Sequence, residues 1–286
     1  MTERPEASSA VPPPAAPAGG GGGARSHPVP RAFVGHDGVS LVIPAWNEEA
    51  RLPSALRQYV PQLESYGLPF EVLVVVDGAT DRTAEIAAGY ATRGVRVFEF
   101  QHRLGKGGAL MEGFRRAKYP IVGFVDADAP VTPDDLTSLL TRLADHDGAV
   151  ASRWHRLSNR RGSQPFSRLL LSKSWNTLTR VVLGLRVRDS QCGAKFFRRD
   201  AALGVLPRVT MSSWAFDACL LFHFQRAGLT VAEVPVNWRD DPDSKLPVAR
   251  VVPAMFLSLV GIRLMSLPWF PRPTQWAARW FDRHLA

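Results

Sequence analysis

Residues 121–130, IVGFVDADAP, decide how we interpret the rest of this chain. An apolar run, IVGFV, ends in two carboxylates, Asp126 and Asp128, which a single alanine separates. Continuous apolar runs bounded by turn residues are typical of a strand that is buried on both faces of a parallel sheet. In open α/β sheets, ligands bind at the carboxyl ends of the strands. The stretch therefore predicts a buried strand that delivers two carboxylates to a binding edge.

The two carboxylates are suited to a divalent cation. They repel each other unless positive charge lies between them. Their hard oxygen atoms favour Mg²⁺ or Mn²⁺, ions that usually also bind oxygens of a substrate phosphate. We therefore predict that Asp126 and Asp128 bind Mg²⁺ or Mn²⁺. The alternative is a solvated turn with an Asx cap, because residues 130–135, PVTPDD, are typical of a loop that enters a helix.

Three further strand-like runs precede this one. They are residues 39–44 (VSLVIP), 70–76 (FEVLVVV) and 95–100 (VRVFEF). Segments with helical spacing separate the runs, and we expect Asn47 to cap the first helix, which would carry Glu48 and Glu49. Strands that alternate with helices in this way predict a parallel, doubly wound α/β sheet.

Each of the four strands is followed by a polar group that would lie at the same edge of the sheet. Glu48 follows the first strand, Asp77 the second, Lys106 the third, and the aspartate pair the fourth. Any one of these residues alone is more often a helix cap or a surface charge. Four consecutive strands that end this way indicate a ligand site, in which acidic groups suit a ribose or a base and the lysine suits a diphosphate.

Two common nucleotide-binding motifs are absent from the sequence. A P-loop would need glycine at position 100 and serine or threonine at position 107, where Phe100 and Gly107 stand. The first strand is not followed by G-x-G-x-x-G, because the residues there are VIPAWNEE. The P-loop NTPase and Rossmann dehydrogenase interpretations therefore lose their main support.

Composition divides the chain of 286 residues into three expected parts. Residues 1–36 are rich in proline, glycine and alanine, which predicts a disordered tail. Residues 37–245 would form the folded domain, and residues 246–286 a basic amphipathic segment close to a membrane. The net charge of +9 predicts attraction to anions. Cys192 and Cys219 have no C-x-x-C spacing, so neither a zinc site nor a disulfide framework is indicated.

Two long basic segments contain no acidic residue. Residues 149–188 include nine lysines or arginines, and residues 246–281 alternate arginines with tryptophans and an apolar run. Their partner would be rich in phosphate, either nucleic acid or an anionic membrane that carries a lipid phosphate. The interleaved leucines and tryptophans favour helices that lie at a water–lipid boundary. An ordinary core-facing helix with a basic outer face is the alternative.

Four motifs of the first half resemble family 2 glycosyltransferases with the GT-A fold. They are PAWNEE (44–49), VVVDGATDRT (74–83), GKGGAL (105–110) and VDADA (125–129). DSQCGAKFF (189–197), SWAFDACLLF (213–222) and VPVNWRDDPDSKL (234–246) are most similar to dolichyl-phosphate, or polyprenyl-phosphate, β-glucosyltransferases. The resemblance covers about residues 39–265. It implies a GT-A catalytic domain, an α/β fold whose mostly parallel sheet has flanking helices and C-terminal amphipathic interfacial helices.

The resemblance also implies roles for individual residues. The residues implied to bind the donor nucleotide sugar are Pro44, Trp46, Glu48, Asp77, Lys106, Asp126, Gln191 and Trp214. Asp126 and Asp128 would bind the metal ion, and Arg153 and Lys195 the acceptor phosphate. The residues implied to act in catalysis are Asp126, Asp128, Arg153 and Asp217.

The expected activity is the transfer of glucose from UDP-glucose to a polyprenyl monophosphate, with inversion. The protein would act in the cytoplasm, peripherally bound to the inner face of the membrane. Two alternatives stay open. A GDP-mannose-dependent polyprenyl-phosphate mannosyltransferase shares nearly every motif. A basic nucleic-acid-binding protein would explain the charge but not the four strand-end groups, so we expect no nucleic acid partner.

Overall fold

The computed structural model describes residues 38–161, 166–211, 215–239 and 248–267. The predicted tail at 1–36, most of the predicted C-terminal segment and Trp214 lie outside the described residues. The bounds predicted for the three parts of the chain stay predictions.

Nine strands, eight α-helices and two short 3₁₀ helices make up the described architecture. The strands are β1 (Val39–Ala45), β2 (Phe70–Asp77), β3 (Val95–Phe100), β4 (Ile121–Val125), β5 (Gly148–Ser152), β6 (Asn159–Arg161), β7 (Ala194–Arg198), β8 (Val231–Pro235) and β9 (Asn237–Arg239). The helices are α1 (Leu52–Ser65), α2 (Thr83–Ala88), α3 (Gly105–Arg116), α4 (Pro133–Arg142), α5 (Phe166–Leu183), α6 (Arg199–Val205), α7 (Phe216–Arg226) and α8 (Val248–Met265).

The main sheet has seven strands in the order β3-β2-β1-β4-β7-β5-β8. Strands β3, β2, β1 and β4 run parallel, as the alternating pattern predicted. Strand β7 is antiparallel to both of its neighbours, β4 and β5, and β5 is parallel to β8. The strand order reverses beside β1, whose neighbours are β2 and β4, and the crevice at such a point is the usual ligand site of an open α/β sheet.

The core lies on both faces of this sheet. Along β2, Val72, Val74 and Val76 join one apolar cluster, whereas Leu73 and Val75 join the other. Successive side chains of a strand point to opposite faces, so a strand that is covered on both sides must be apolar throughout. Helices α1, α2 and α4 cover one face, and α3, α6 and α7 cover the other. The prediction of doubly covered strands is confirmed.

The prediction that Asn47 caps the first helix is wrong. Helix α1 begins at Leu52, and Asn47 lies in the left-handed region at φ 52°. Its Oδ1 accepts a hydrogen bond from the backbone N of Thr80 at 2.8 Å, and Thr83 Oγ1 accepts one from the backbone N of Glu48 at 2.8 Å. Asparagine tolerates this backbone conformation, so it connects the loops after β1 and β2 instead of starting a helix.

The two predicted basic helices are present as α5 and α8, and they pack against each other. Trp175 of α5 packs against the core. Val181 is 76% exposed, and Phe256 and Leu257 of α8 are also exposed. Among the described residues, every helix is too short or too polar to cross a membrane. The helices therefore combine a face packed on the protein with exposed apolar side chains, and their contact with a membrane stays a prediction.

Candidate functional site

Asp77 ties the end of β2 to the start of α3. Its buried carboxylate accepts hydrogen bonds from the backbone N of Leu104, the backbone N of Gly105 at 3.0 Å and Nε of Arg103 at 3.2 Å. A carboxylate at this position satisfies N–H groups that the first turn of a helix leaves unpaired, and it complements the helix dipole. Asp77 thereby fixes the turn that carries Lys106.

Lys106 is the centre of the site. Its Nζ lies 2.7 Å from Oδ1 of Asp126 and 3.7 Å from Oδ2 of Asp217, and it lies 5.4 Å from the centre of the Phe124 ring. Burial lowers the pKa of Lys106, but the two carboxylates outweigh this effect and raise it above its usual range. Lys106 therefore remains a cation at the edge of the sheet.

Behind Lys106, a buried ion pair continues into the core. Lys195 on β7 is 0% exposed and Asp217, in the first turn of α7, is 1% exposed. The Nζ of Lys195 donates to Oδ1 of Asp217 at 2.5 Å and to the carbonyl of Cys192 at 2.7 Å. Asp126, Lys106, Asp217 and Lys195 therefore alternate in charge, and we call them the ion chain.

Gly193 allows Asp126 to reach its position. The backbone N of Asp126 donates to the carbonyl of Gly193 at 2.9 Å. A Cβ atom on Gly193 would lie 2.1 Å from Oδ2 of Asp126, so any side chain there would displace the carboxylate. The sequence pattern did not single out Gly193, although its place in DSQCGAKFF was the available signal.

Asp126 and Asp128 occupy a turn, as the alternative interpretation expected. The backbone N of Ala129 donates to the carbonyl of Asp126 at 3.1 Å, and Ala129 has a φ of 51°. Thr132, rather than an aspartate, then caps α4 through a capping box with Asp135. A turn does not exclude a metal role, since the turn leaves Asp128 exposed at the edge of the sheet.

The edge carries an excess of carboxylates. Burial, chiefly, raises the pKa of Glu48 to about 7; Arg51, whose guanidinium contacts Glu48 at 2.7 Å, partly offsets this, and the charges of Asp128 and Asp126 raise the pKa further. Within the described residues no three or more acidic, histidine or cysteine side chains form a ready metal cage. The two aspartates, which carry hard oxygen atoms, nevertheless fit a divalent ion that takes its other ligands from substrate and water.

Arg153 directly follows β5, which β7 separates from β4 in the sheet. Its guanidinium binds Asp189 through two hydrogen bonds, of 2.8 and 2.9 Å, and stacks 4.9 Å from the centre of the Trp238 ring. Burial alone would raise the pKa of Asp189, but Arg153 outweighs it and the pKa is lowered. This bidentate geometry fixes the orientation of the Arg153 cation.

The loop at 189–193 joins these groups. It begins with Asp189, which holds Arg153, and ends with Gly193, which supports Asp126. Gln191 lies between them, and its backbone N donates to Oδ1 of Asp189 at 3.3 Å. One short loop therefore supports both the aspartate edge and the arginine.

Trp46 forms an exposed platform with a residue that the sequence pattern did not select. Trp46 is 48% exposed, and the guanidinium of Arg103 stacks 3.8 Å from the centre of its ring. Arg103 also binds Asp77. Its place in the loop just before Lys106 was the available signal. Pro44, near the end of β1, is partly buried.

The fold and the site together define the class of protein. A doubly wound sheet carries carboxylates, a fixed lysine, a fixed arginine and an aromatic platform at its carboxyl edge, an arrangement suited to a nucleotide or another phosphate-bearing ligand. The family profile described as "Glycosyl transferase family 2" matches residues 40–204 of this chain. The chain belongs to this family and is a glycosyltransferase, which confirms the resemblance drawn from its motifs.

Several named proteins are similar in sequence to most of this chain. Glycosyltransferase AglD of Haloferax volcanii is 36% identical over 76% of this chain, which spans only 35% of that protein. Dolichyl-phosphate beta-glucosyltransferase of Drosophila melanogaster is 36% identical over 73% of this chain and 69% of its own length. The human enzyme of the same name is 32% identical over the same shares.

Solved structures support the fold. Glucosyl-3-phosphoglycerate synthase from Mycobacterium tuberculosis in complex with UDP matches with a TM-score of 0.59 and 24% identity, over 82% of this chain and 83% of that chain. The same enzyme with Mn²⁺, UDP and glucosyl-3-phosphoglycerate matches with a TM-score of 0.60 over the same shares. The predicted α/β, GT-A fold with a mostly parallel sheet is confirmed.

Proposed function

We propose that this glycosyltransferase moves glucose from UDP-glucose to a polyprenyl monophosphate, with inversion at the anomeric carbon. The observation that carries the proposal is the Lys106 cation held on Asp126, in a chain whose relatives are named dolichyl-phosphate beta-glucosyltransferases. Similar structures of glucosyl-3-phosphoglycerate synthase in complex with UDP, UDP-glucose and Mn²⁺ support the choice of donor and of a divalent ion.

The donor would lie along the carboxyl edge from β2 to β4. Trp46, stacked on Arg103, offers a flat surface for the base, and Pro44, Glu48 and Asp77 would complete the nucleoside site. The diphosphate would lie near Lys106, where the cation meets its negative charge. Gln191 and Trp214 would complete the sugar site, Trp214 on the strength of the family resemblance alone.

Asp126 and Asp128 would hold Mg²⁺ or Mn²⁺ when the donor binds. The ion would neutralise charge on the diphosphate that leaves. In this proposal the protein's own cations share that task, since Lys106 lies on Asp126 and is kept protonated by two carboxylates.

The acceptor phosphate would meet Arg153. An alkyl phosphate has a second pKa of about 6, so its nucleophilic oxygen is largely ionised at neutral pH and needs no strong general base. The main barrier is then the approach of one anion to another, and a fixed guanidinium lowers this barrier electrostatically. Asp189 holds the Arg153 guanidinium by two hydrogen bonds, so the cation is oriented before the acceptor arrives. Asp217 would affect donor binding indirectly, through Lys106, whose Nζ lies 3.7 Å from its Oδ2.

The lipid acceptor requires contact with a membrane surface. Exposed Val181 on α5 and exposed Phe256, Leu257 and Leu264 on α8 offer apolar contact, and acid-free basic segments include both helices. Such surfaces bind anionic interfaces by apolar burial and by charge attraction. We therefore propose peripheral attachment to the inner face of the membrane.

A donor screen tests the proposed function. The purified protein is mixed with Mg²⁺ or Mn²⁺, a polyprenyl phosphate and a radiolabelled nucleotide sugar, and label in the organic phase is counted. We expect transfer from UDP-glucose and its loss in Asp128→Ala. Transfer from GDP-mannose alone would replace glucose by mannose, and the absence of any lipid product would overturn the acceptor. Full activity of Asp128→Ala would overturn the metal site.

A further inference from the structure

Lys195 lies too deep in this structure to touch a substrate. Its side chain is 0% exposed, under the ring of Phe124, whose centre lies 5.2 Å from Nζ. Its ammonium donates to two internal groups, the carbonyl of Cys192 and Oδ1 of Asp217. A contact between Lys195 and the acceptor phosphate, as the family resemblance implied, would need a rearrangement of the core. The buried position calls for another role.

Lys106 lies at different distances from its two carboxylate neighbours in the ion chain. Lys106 lies 2.7 Å from Asp126 but 3.7 Å from Asp217, although Asp217 is the more buried of the two carboxylates. A buried carboxylate attracts any nearby cation strongly, because little water screens its charge. Asp217 already has a cation at 2.5 Å, the ammonium of Lys195, whereas Lys106 lies on Asp126.

We propose that Lys195 is a positioning residue, which balances the charge of Asp217 from within the core and so keeps Lys106 on Asp126, where the donor diphosphate binds. This inference rests on the proposed function only for the identity of the diphosphate. Lys195 then acts on the donor through two intervening residues, Asp217 and Lys106, and makes no contact with either substrate.

The proposal predicts a specific defect in Lys195→Met. Without its partner, the Asp217 carboxylate has Lys106 as the nearest remaining cation, and the ammonium need move only about 1 Å to reach it. Lys106 would leave Asp126 and the diphosphate. Because a charge-assisted hydrogen bond to the diphosphate is lost, UDP should bind roughly ten-fold more weakly and the KM for UDP-glucose should rise by a similar factor. The KM for polyprenyl phosphate should not change.

A second substitution should restore binding. In the double variant Lys195→Met and Asp217→Asn, no unbalanced carboxylate competes for Lys106. UDP affinity should therefore return to within about three-fold of the wild type, although the double variant has lost more native groups than the single one. Recovery of this kind is not expected from a residue whose role is only to hold the fold together.

The experiment measures UDP binding by calorimetry in the presence of Mn²⁺, together with both KM values and kcat. Lys118→Met serves as control, because Lys118 is an exposed lysine just before β4, at the opposite edge of the sheet. Weakened UDP binding in Lys195→Met with recovery in the double variant supports the proposal. A raised acceptor KM with normal UDP affinity would overturn it in favour of a phosphate contact. A fall in kcat alone, with both KM values normal, would overturn it in favour of a merely structural role.

Two further outcomes keep the test decisive. If Lys195→Met does not fold, the double variant still discriminates, since normal UDP affinity with normal acceptor KM supports positioning and a raised acceptor KM contradicts it. If the wild type binds UDP but transfers no sugar to lipid, the proposed function fails while the UDP titrations still decide the role of Lys195. No UDP binding by the wild type would overturn both.

Discussion

Removal of Asp217 and removal of Lys195 should lower the free energy of unfolding by different amounts. Both side chains are essentially fully buried and their charged atoms lie 2.5 Å apart. Removing one member of a buried pair leaves an uncompensated charge and typically costs about 3–5 kcal/mol. In Asp217→Ala, the Lys195 ammonium loses its carboxylate and keeps the hydrogen bond to the carbonyl of Cys192, so we expect a loss of about 4 kcal/mol.

Lys195→Met should be milder. Asp217 retains a second cation, Lys106, at 3.7 Å, and this partner can move closer. We therefore expect a loss of about 2–3 kcal/mol, below the cost of Asp217→Ala. The double variant Lys195→Met and Asp217→Leu leaves no buried charge at this pair. Its free energy of unfolding should lie within about 1–2 kcal/mol of that of the wild type. The two substitutions should thus be strongly non-additive.

Urea unfolding followed by circular dichroism measures these free energies, with a constant m-value as the check that the transition stays two-state. The surface pair of Arg93 and Glu64 is a matched control, since its 2.6 Å contact is equally short but both side chains are about 40% exposed. Glu64→Ala should cost well under 1 kcal/mol. The reasoning is refuted if the two buried single variants lose no more than Glu64→Ala, or if the double variant loses the sum of both.

Three other outcomes are expected. Gly193→Ala should weaken Mn²⁺-dependent UDP binding more than ten-fold, because the new Cβ displaces the Asp126 carboxylate. The control Gly204→Ala should bind UDP normally in the same titration, because the space around Gly204 is open. Burial, together with two nearby arginines, lowers the pKa of His223 to about 4, so between about pH 6.5 and 4 the unfolded chain binds a proton that the folded chain does not. The free energy of unfolding should therefore fall as the pH falls through this window, by at most about 2 kcal/mol at pH 5. Urea unfolding of His223→Gln at pH 7.5 and at pH 5 should show a smaller loss than that of the wild type. Arg153→Ala should raise the KM for polyprenyl phosphate far more than that for UDP-glucose, and steady-state kinetics that show the reverse split would remove Arg153 from the acceptor site.

The parallel half of the sheet could be predicted from local pattern alone. Each of β1, β2 and β4 is a short apolar run that ends at polar residues, and burial on two faces requires such composition. The same rule placed Asp77, Lys106 and Asp126 at one edge, and the structure connects Lys106 directly to Asp126. Those predictions succeeded because the carboxyl ends of neighbouring parallel strands meet whatever the details of packing.

By itself, then, the sequence determined the strand-and-helix order as far as β4, the edge at which the charged groups gather and, through its motifs, the family. Only the tertiary structure decided how those charges pair. Strand β7 enters the sheet antiparallel between β4 and β5, which buries Lys195 beside Asp217, 22 residues away, while Asp189 meets Arg153 across 36 residues. Local periodicity carries no information on contacts between such distant residues. They depend on which strands become neighbours and on the need of every buried charge for a partner.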